Sequence, residues 1–201
     1  MHRNLIFDLS GVLFNERDGA IMEPIRKAAA SEEQFKALWT NMLLGRMTTK
    51  ECHELLIKQD TANAEILDGT MDYDFYSRNL PLVAPSIIGT LECLSRDYNL
   101  YMLSNSTDTM RDYAVRCLGI PGRMRGICSC DVGMMKPDMD IFKLALSHFE
   151  LNPKETVYFD DRMKNIYAAR MCGIYSVFID NRQYNTNIIS ALNNVLNKTL
   201  S

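Results

Sequence analysis

The 201-residue sequence has no surplus of basic charge, no long apolar run and no cysteine framework. Its 22 lysines and arginines against 25 aspartates and glutamates leave a net charge of −3, so no basic stripe is available for a phosphate backbone or an acidic membrane surface. Neither nucleic acid nor a membrane is an expected partner, and an anionic ligand would have to be held by local devices. No segment approaches the roughly 20 apolar residues of a membrane span. The first residues enter a strand pattern directly, without a signal-peptide core, so the expected location is the cytoplasm. Six cysteines, at positions 52, 93, 117, 128, 130 and 172, are scattered, most of them among apolar neighbours as reduced thiols are. Cys128 and Cys130 are the one close pair, and without a second pair or a nearby histidine they do not make a zinc site. The length suits one α/β domain with an insertion, or two small domains.

What the sequence does have begins at Asn4, in the stretch NLIFDLSGVL. Apolar, strand-forming residues run into one carboxylate, Asp8, and then into Ser10 and Gly11, which punctuate the end of a buried strand. Taken alone, Asp8 caps the following turn. At the carboxyl end of a strand in an open α/β sheet it also stands where ligands bind. From Asn15 to about Leu80 the pattern is helical, so residues 15–80 are expected to form an inserted helical unit, with 1–14 and 81–201 making the α/β core. Capping boxes at Ser31–Gln34 and Thr48–Glu51 mark two helix starts, and Gly45 supplies a stop between them. Phe35, Leu38, Trp39 and Met42 share one helical face, as do Cys52, Leu55 and Leu56. Tyr73, Phe75 and Tyr76 are expected in the core.

Beyond residue 80, helices and strands alternate. Pro85 opens a helix in which Ile87, Ile88, Leu91 and Leu94 recur at helical spacing, and Asn99–Leu103 reads as a strand ending in Ser104-Asn105-Ser106-Thr107. Those side chains suit caps for a helix beginning near Asp108, and they are also good donors to phosphate oxygens. Gly119 and Pro121 end that helix, and a short strand around Gly126–Ser129 leads into DVGMMKPD. Lys136 lies just before Pro137, which suits the first turn of the next helix. A cation is poorly placed there unless a bound anion or a facing carboxylate accompanies it. Thr156–Phe159 is a further strand, ending in Asp160-Asp161, two carboxylates that repel unless a hard cation such as Mg²⁺ neutralises them. A helix through Ile166 to Gly173 and a strand at Tyr175–Ile179 follow. The alternation implies α/β architecture with a parallel, Rossmann-like sheet and right-handed crossovers, so strand ends fall on one edge. Asp8, Ser104, Asn105, Asp160 and Asp161 would share that edge with Lys136 beside them, a set suited to a magnesium-bound phosphoryl group.

At these four motifs the sequence resembles the haloacid dehalogenase-like superfamily, specifically its phosphatases with a helical cap inserted after the first motif. FDLSGVL around Asp8, LSNST around Ser104, MKPD with Lys136 and VYFDDR with Asp160 and Asp161 look like the family's motifs in order, and the likeness runs from Asn4 to about Asp180. The resemblance implies that Asp8 attacks phosphorus to give an aspartyl phosphate, while Ser104, Asn105 and Lys136 hold the phosphoryl oxygens. It implies that Mg²⁺ is bound by Asp8, the backbone carbonyl of Ser10 and Asp161, with Asp160 in support, and that the substrate is a small phosphorylated metabolite. One position departs from the pattern. Ser10 stands where most of these phosphatases carry a second Asp, which protonates the leaving alkoxide and later activates water. Sugar-phosphate phosphatases similar to α-D-glucose-1-phosphate phosphatase, with FDLGNV or FDLGGV at this motif, also lack that Asp. Two rival readings are a 2-haloacid dehalogenase, whose attack on carbon needs no acidic pair, and a non-catalytic member that binds a ligand or partner.

Overall fold

The computed structural model describes residues 3–16, 19–84, 86–119, 124–180, 188, 191 and 192. In chain order they form β1 (Asn4–Phe7), five helices α1 (Glu23–Ala28), α2 (Glu32–Leu43), α3 (Thr49–Gln59), α4 (Asn63–Leu67) and α5 (Tyr73–Asn79), and then α6 (Ile87–Leu94) and β2 (Asn99–Ser104). There follow α7 (Asp108–Leu118), β3 (Arg125–Cys128), the single turn α8 (Ser129–Val132), α9 (Met139–His148), β4 (Thr156–Asp160), α10 (Met163–Met171) and β5 (Tyr175–Phe178). The expected parts of Pro85 in opening α6 and Pro121 in ending α7 lie outside the described residues. Among the described residues, no helix is long and apolar enough to cross a membrane.

The five strands make one parallel sheet in the order β3-β2-β1-β4-β5, the Rossmann-like α/β arrangement the alternation implied. Side chains alternate across it with period two. Leu5, Phe7, Leu100, Met102, Val157 and Phe159 face a cluster completed by Ile87 and Leu91 of α6 and Met110 and Ala114 of α7. Ile6, Tyr101, Leu103, Ile127 and Tyr158 face the other, completed by α9 and α10 through Ile141, Phe142, Ala145, Ile166 and Ala169. Burial on both faces explains why these strands read as continuous apolar runs.

The α1–α5 segment leaves and rejoins the core through adjacent chain segments. The Asn15 N–H donates to the Pro81 carbonyl at 2.8 Å, and the Val83 N–H to the Leu13 carbonyl at 2.9 Å. Ile25, Phe35, Leu38, Cys52, Leu56 and Tyr76 then pack into the same cluster as Phe7 and Phe159. The two expected helix starts are present: Ser31 caps α2 by accepting from the Gln34 N–H, and Thr48 and Glu51 form a reciprocal capping box on α3. Gly45 does more than stop α2. It has φ of +64°, and a Cβ there would collide with the Cys130 carbonyl. Two expectations need correction. Tyr73 is exposed, its ring lying under the Arg116 guanidinium at 4.4 Å, whereas Phe75 and Tyr76 are buried as expected. Pro137 is not in the first turn of α9, because Asp138 is the N-cap, accepting from the Asp140 N–H at 3.1 Å, and the helix begins at Met139.

Candidate active site

The strand order reverses at β1, with β2 on one side and β4 on the other, and the carboxyl ends of strands at such a switch point frame a crevice. Register then sets the chemistry. Phe7 is paired with Phe159, their rings stacked 5.1 Å apart, so the residues that follow, Asp8 and Asp160, emerge side by side. The Asp8 N–H donates to the Phe159 carbonyl at 2.9 Å, and the Asp8 Oδ1 accepts from the Leu9 N–H at 2.7 Å. Lys136 does not point along a helix end. It reaches the sheet edge, where Nζ lies 2.8 Å from Asp8 Oδ1 and 2.9 Å from Asp160 Oδ2, with only 1% of its side chain exposed. Of the two partners the sequence allowed for this lysine, the facing carboxylate is present. Asp161 completes the group: carboxylate oxygens of Asp8, Asp160 and Asp161 all lie within 4.8 Å of one another.

One ammonium cannot neutralise three carboxylates, and the site divides the deficit unequally. Burial works against a charged Asp160, but Lys136, the Tyr158 hydroxyl and the Arg162 N–H outweigh it and hold the carboxyl below its usual value. Asn165 Nδ2 adds contacts at 3.1 and 3.0 Å to both Asp160 oxygens. Asp8 is left with the cost. Burial pushes it up to about 7 against the pull of Lys136, and Asp160 and Asp161 push the same way. Asp161 is raised as well, by burial and then by Asp160. Burial opposes charge on Lys136 also, yet Asp8 and Asp160 hold its ammonium above the ordinary lysine value. A hard divalent cation fits this donor set, since it would relieve both raised carboxyls with oxygen ligands. Asp160, with its oxygens already engaged, is the least available of the three.

Gly11 explains how the backbone approaches so closely. Its φ is +80°, and a Cβ there would collide with the Asp161 carboxylate, so only glycine lets the turn after β1 close over that side chain. Ser10 lies beside it and lines the cavity above Asp8. Ser104 ends β2, buried, and accepts from the Ser106 hydroxyl at 2.9 Å, which leaves its own proton to donate. Asn105 clamps the lysine loop: Nδ2 donates to the Lys136 carbonyl and Oδ1 accepts from the Lys136 N–H, both at 2.8 Å. The helix cap considered for these residues falls to Thr107, whose hydroxyl accepts from the Met110 N–H at 3.3 Å.

The cavity over these groups has a volume of about 350 Å³, within the range of small-molecule sites. It is lined by Asp8, Ser10, Asn105 and Lys136 from the expected set, but not by Ser104, Asp160 or Asp161. Sequence reasoning missed Glu16, Arg162, Lys164 and Asn165 on its polar side and Trp39 among its apolar residues. Glu16 is raised above the ordinary glutamate value, by burial first and Asp161 after it, with Arg162 opposing. No local pattern marks Glu16. Asn165 had a findable signal, lying five residues after Asp160 in the first turn of a helix that starts at the strand end.

Known proteins share this fold. Residues 2–173 match the family model of the haloacid dehalogenase-like hydrolases. Drimenol cyclase drtB of Aspergillus calidoustus is 25% identical over 190 residues, covering 88% of this chain, which spans only 34% of that longer protein. Among solved structures, the HAD family enzyme bt-2542 of Bacteroides thetaiotaomicron, in complex with magnesium and inorganic phosphate, superposes with a TM-score of 0.74 at 22% identity over 90% of this chain and 96% of that one. L-2-haloacid dehalogenase of Xanthobacter autotrophicus shares the fold at a TM-score of 0.58 and 17% identity, over 89% and 78% of the two chains. With the family model matched over most of its length, this chain belongs to the haloacid dehalogenase-like hydrolases.

Proposed function

We propose that the chain is a Mg²⁺-dependent phosphatase of small phosphomonoesters that works through an aspartyl phosphate on Asp8. The observation that carries this reading is Lys136, buried between Asp8 and Asp160 in a nest of three carboxylates. Attack by a carboxylate on a phosphoryl dianion brings two anions together, and a fixed, desolvated cation between them lowers that barrier. Asp8, the Ser10 carbonyl and Asp161 would hold the Mg²⁺, which when bound supplies positive charge against the phosphoryl oxygens. The magnesium and phosphate bound together in bt-2542 support the same reading.

The protein's own groups then divide the work. Among the described residues, the Leu9 N–H and the Lys136 ammonium both meet Asp8 at Oδ1 and hold the carboxylate in a fixed orientation. Lys136 and Asn105, both lining the cavity, hold phosphoryl oxygens, and Asn105 also fixes Lys136 in place. As the Asp8–phosphorus bond forms and the ester bond breaks, the leaving oxygen needs a proton, which the Ser10 hydroxyl is too weak an acid to give. Glu16 is the one carboxyl lining the cavity, among the described residues, outside the acidic trio, and its raised pKa suits it to donate that proton. In the second step water attacks phosphorus, its proton returns to Glu16 and the bond to Asp8 breaks.

Displacement of halide from carbon gains nothing from three clustered carboxylates, which speaks against the dehalogenase reading. Cyclisation, the activity in the name of the Aspergillus relative, is not carried over, because the chain spans 34% of that protein. Sugar phosphates are the substrate class the resemblance implies. The test is phosphate release from an aryl phosphate with Mg²⁺ and with chelator, alongside Asp8→Asn. Mg²⁺-dependent release that the substitution abolishes supports the proposal. Metal-independent halide release from 2-haloacids, or no turnover across a phosphate panel, refutes it.

A further inference from the structure

The cavity over Asp8 has a mostly polar wall on its catalytic side and an apolar wall facing it from the helical segment. Its polar side chains come from the catalytic edge, as Asp8, Ser10, Asn105 and Lys136, and from the start of α10, as Arg162, Lys164 and Asn165, with Met135 and Pro137 the apolar residues on that side. Glu16 belongs with them electrostatically, since the charges acting on it are those of Arg162 and Asp161. The α1–α2 segment and the first turn of α7 contribute Ile21, Met22, Trp39, Leu43 and Met110. Among the described residues, the only side-chain hydrogen-bonding group that α1–α5 and their connectors up to Leu80 bring to the cavity, apart from Glu16, is the indole N–H of Trp39. Trp39 is held in place, its ring stacked on Phe35 at 6.3 Å, and Phe35 in turn lies under the Arg26 guanidinium.

A sugar enters such a site at a disadvantage. Its hydroxyls would leave water for Ile21, Met22, Leu43 and Met110 without gaining partners, and each unpartnered hydroxyl weakens binding by about tenfold. A hydrocarbon group of similar size gains from the same wall. Trp39 offers a flat face, and the methionines adapt to irregular shapes. Resting on the phosphomonoester reading, we propose that the preferred substrates carry an apolar organic group seated against Trp39, and that this wall selects against polyol phosphates. Phosphates of hydrocarbon alcohols thereby replace the sugar phosphates that the family resemblance implies.

The test compares cyclohexylmethyl phosphate with glucose 6-phosphate. Both are primary alkyl esters on a six-membered ring, so their leaving groups are alike and the hydroxyls differ. Trp39 is the only tryptophan in the chain, so its fluorescence reports binding independently of turnover. With Mg²⁺, in the Asp8→Asn protein, cyclohexylmethyl phosphate is expected to shift the emission and to bind at least tenfold more tightly than glucose 6-phosphate or inorganic phosphate. In the natural protein kcat/KM should favour it by the same factor, a preference that Trp39→Phe keeps and Trp39→Ala loses. Equal affinities in the fluorescence titration, or a preference unchanged in Trp39→Ala, overturn the inference. Should Trp39→Ala fail to fold, the titration in the Asp8→Asn protein decides alone. Hydrolysis of both esters without preference sinks this inference and leaves the phosphatase reading standing. Tight, selective binding without hydrolysis of any phosphate does the reverse.

Discussion

Replacing Lys136 by methionine removes the site's buried positive charge while keeping a stem of similar volume, so the change isolates electrostatics from packing. In the natural protein the ammonium touches Asp8 at 2.8 Å and Asp160 at 2.9 Å, and the Asp160 side chain is wholly buried. Removing one partner of a buried ion pair costs about 3–5 kcal/mol. For a domain of this size, each kcal/mol moves the melting temperature by about 2–4 °C, which gives a fall of roughly 6–20 °C. The pH dependence carries more information than the size. Without the ammonium, the Asp8 carboxyl, already raised, climbs further, and that of Asp160 rises above the ~3.9 of an unfolded aspartate. The folded variant then holds protons that the unfolded chain has released, so its stability falls as pH rises through the raised values. The deficit relative to the natural protein should be small near pH 5 and widest near pH 8. Thermal melts in chelator at the two pH values measure it, and Mg²⁺ should recover part of the loss at the higher pH. A deficit of the same size at both, or none, would refute the account of Lys136 as counter-charge to Asp8 and Asp160. Turnover of an aryl phosphate should fall in kcat as well as rise in KM; a change in KM alone would make the lysine a uniform binding contact.

Asp161→Ala should raise the Mg²⁺ concentration needed for half-maximal activity, without lowering metal-free stability, since burial and Asp160 already disfavour its charge; an unchanged Mg²⁺ titration excludes it as a ligand. Gly11→Ala places a methyl against Asp161 at a φ of +80°, a backbone strain of about 1–2 kcal/mol before the collision is counted. It should lower the melting temperature and weaken Mg²⁺ binding measured by calorimetry, and a variant with natural affinity would show that the turn does not shape the metal site. Glu16→Gln should lose about 10²–10⁴-fold in kcat/KM for alkyl phosphates and much less for aryl ones, because general acid catalysis matters most when the leaving oxygen is basic. The steepened dependence on leaving-group pKa should flatten again when Ser10→Asp is added, and identical slopes in the natural protein and Glu16→Gln would remove Glu16 from the proton path.

Asp8 and the Asp160-Asp161 pair were legible in the chain because each ends an apolar run, and a strand buried on both faces advertises its end locally through the switch to polar residues and glycine. Parallel topology and the shared edge followed from the alternation of helices and strands. The N-cap at Ser31 and the capping box at Thr48 are local hydrogen-bond patterns, so they too were written in sequence, although the Gln34 side chain accepts from the Ala30 N–H and leaves the box at Ser31 incomplete. Lys136 was only half legible. Its place beside Pro137 suggested an uneasy cation, but its two carboxylate partners come from strands far away in sequence, and its loop is clamped by Asn105, 31 residues distant. Trp39 shares a helical face with Phe35 and Met42, which a periodicity argument reads as core, because an amphipathic pattern tells which face is apolar and not what it faces. Glu16 carries no pattern at all. Local patterns in the chain specify the strands, their chemistry-bearing ends and hence the family. Which charges neutralise one another, that Gly11 must make room for Asp161, and which side chains of the helical segment meet the cavity emerge from the folded contacts alone, because they join residues that no local periodicity connects.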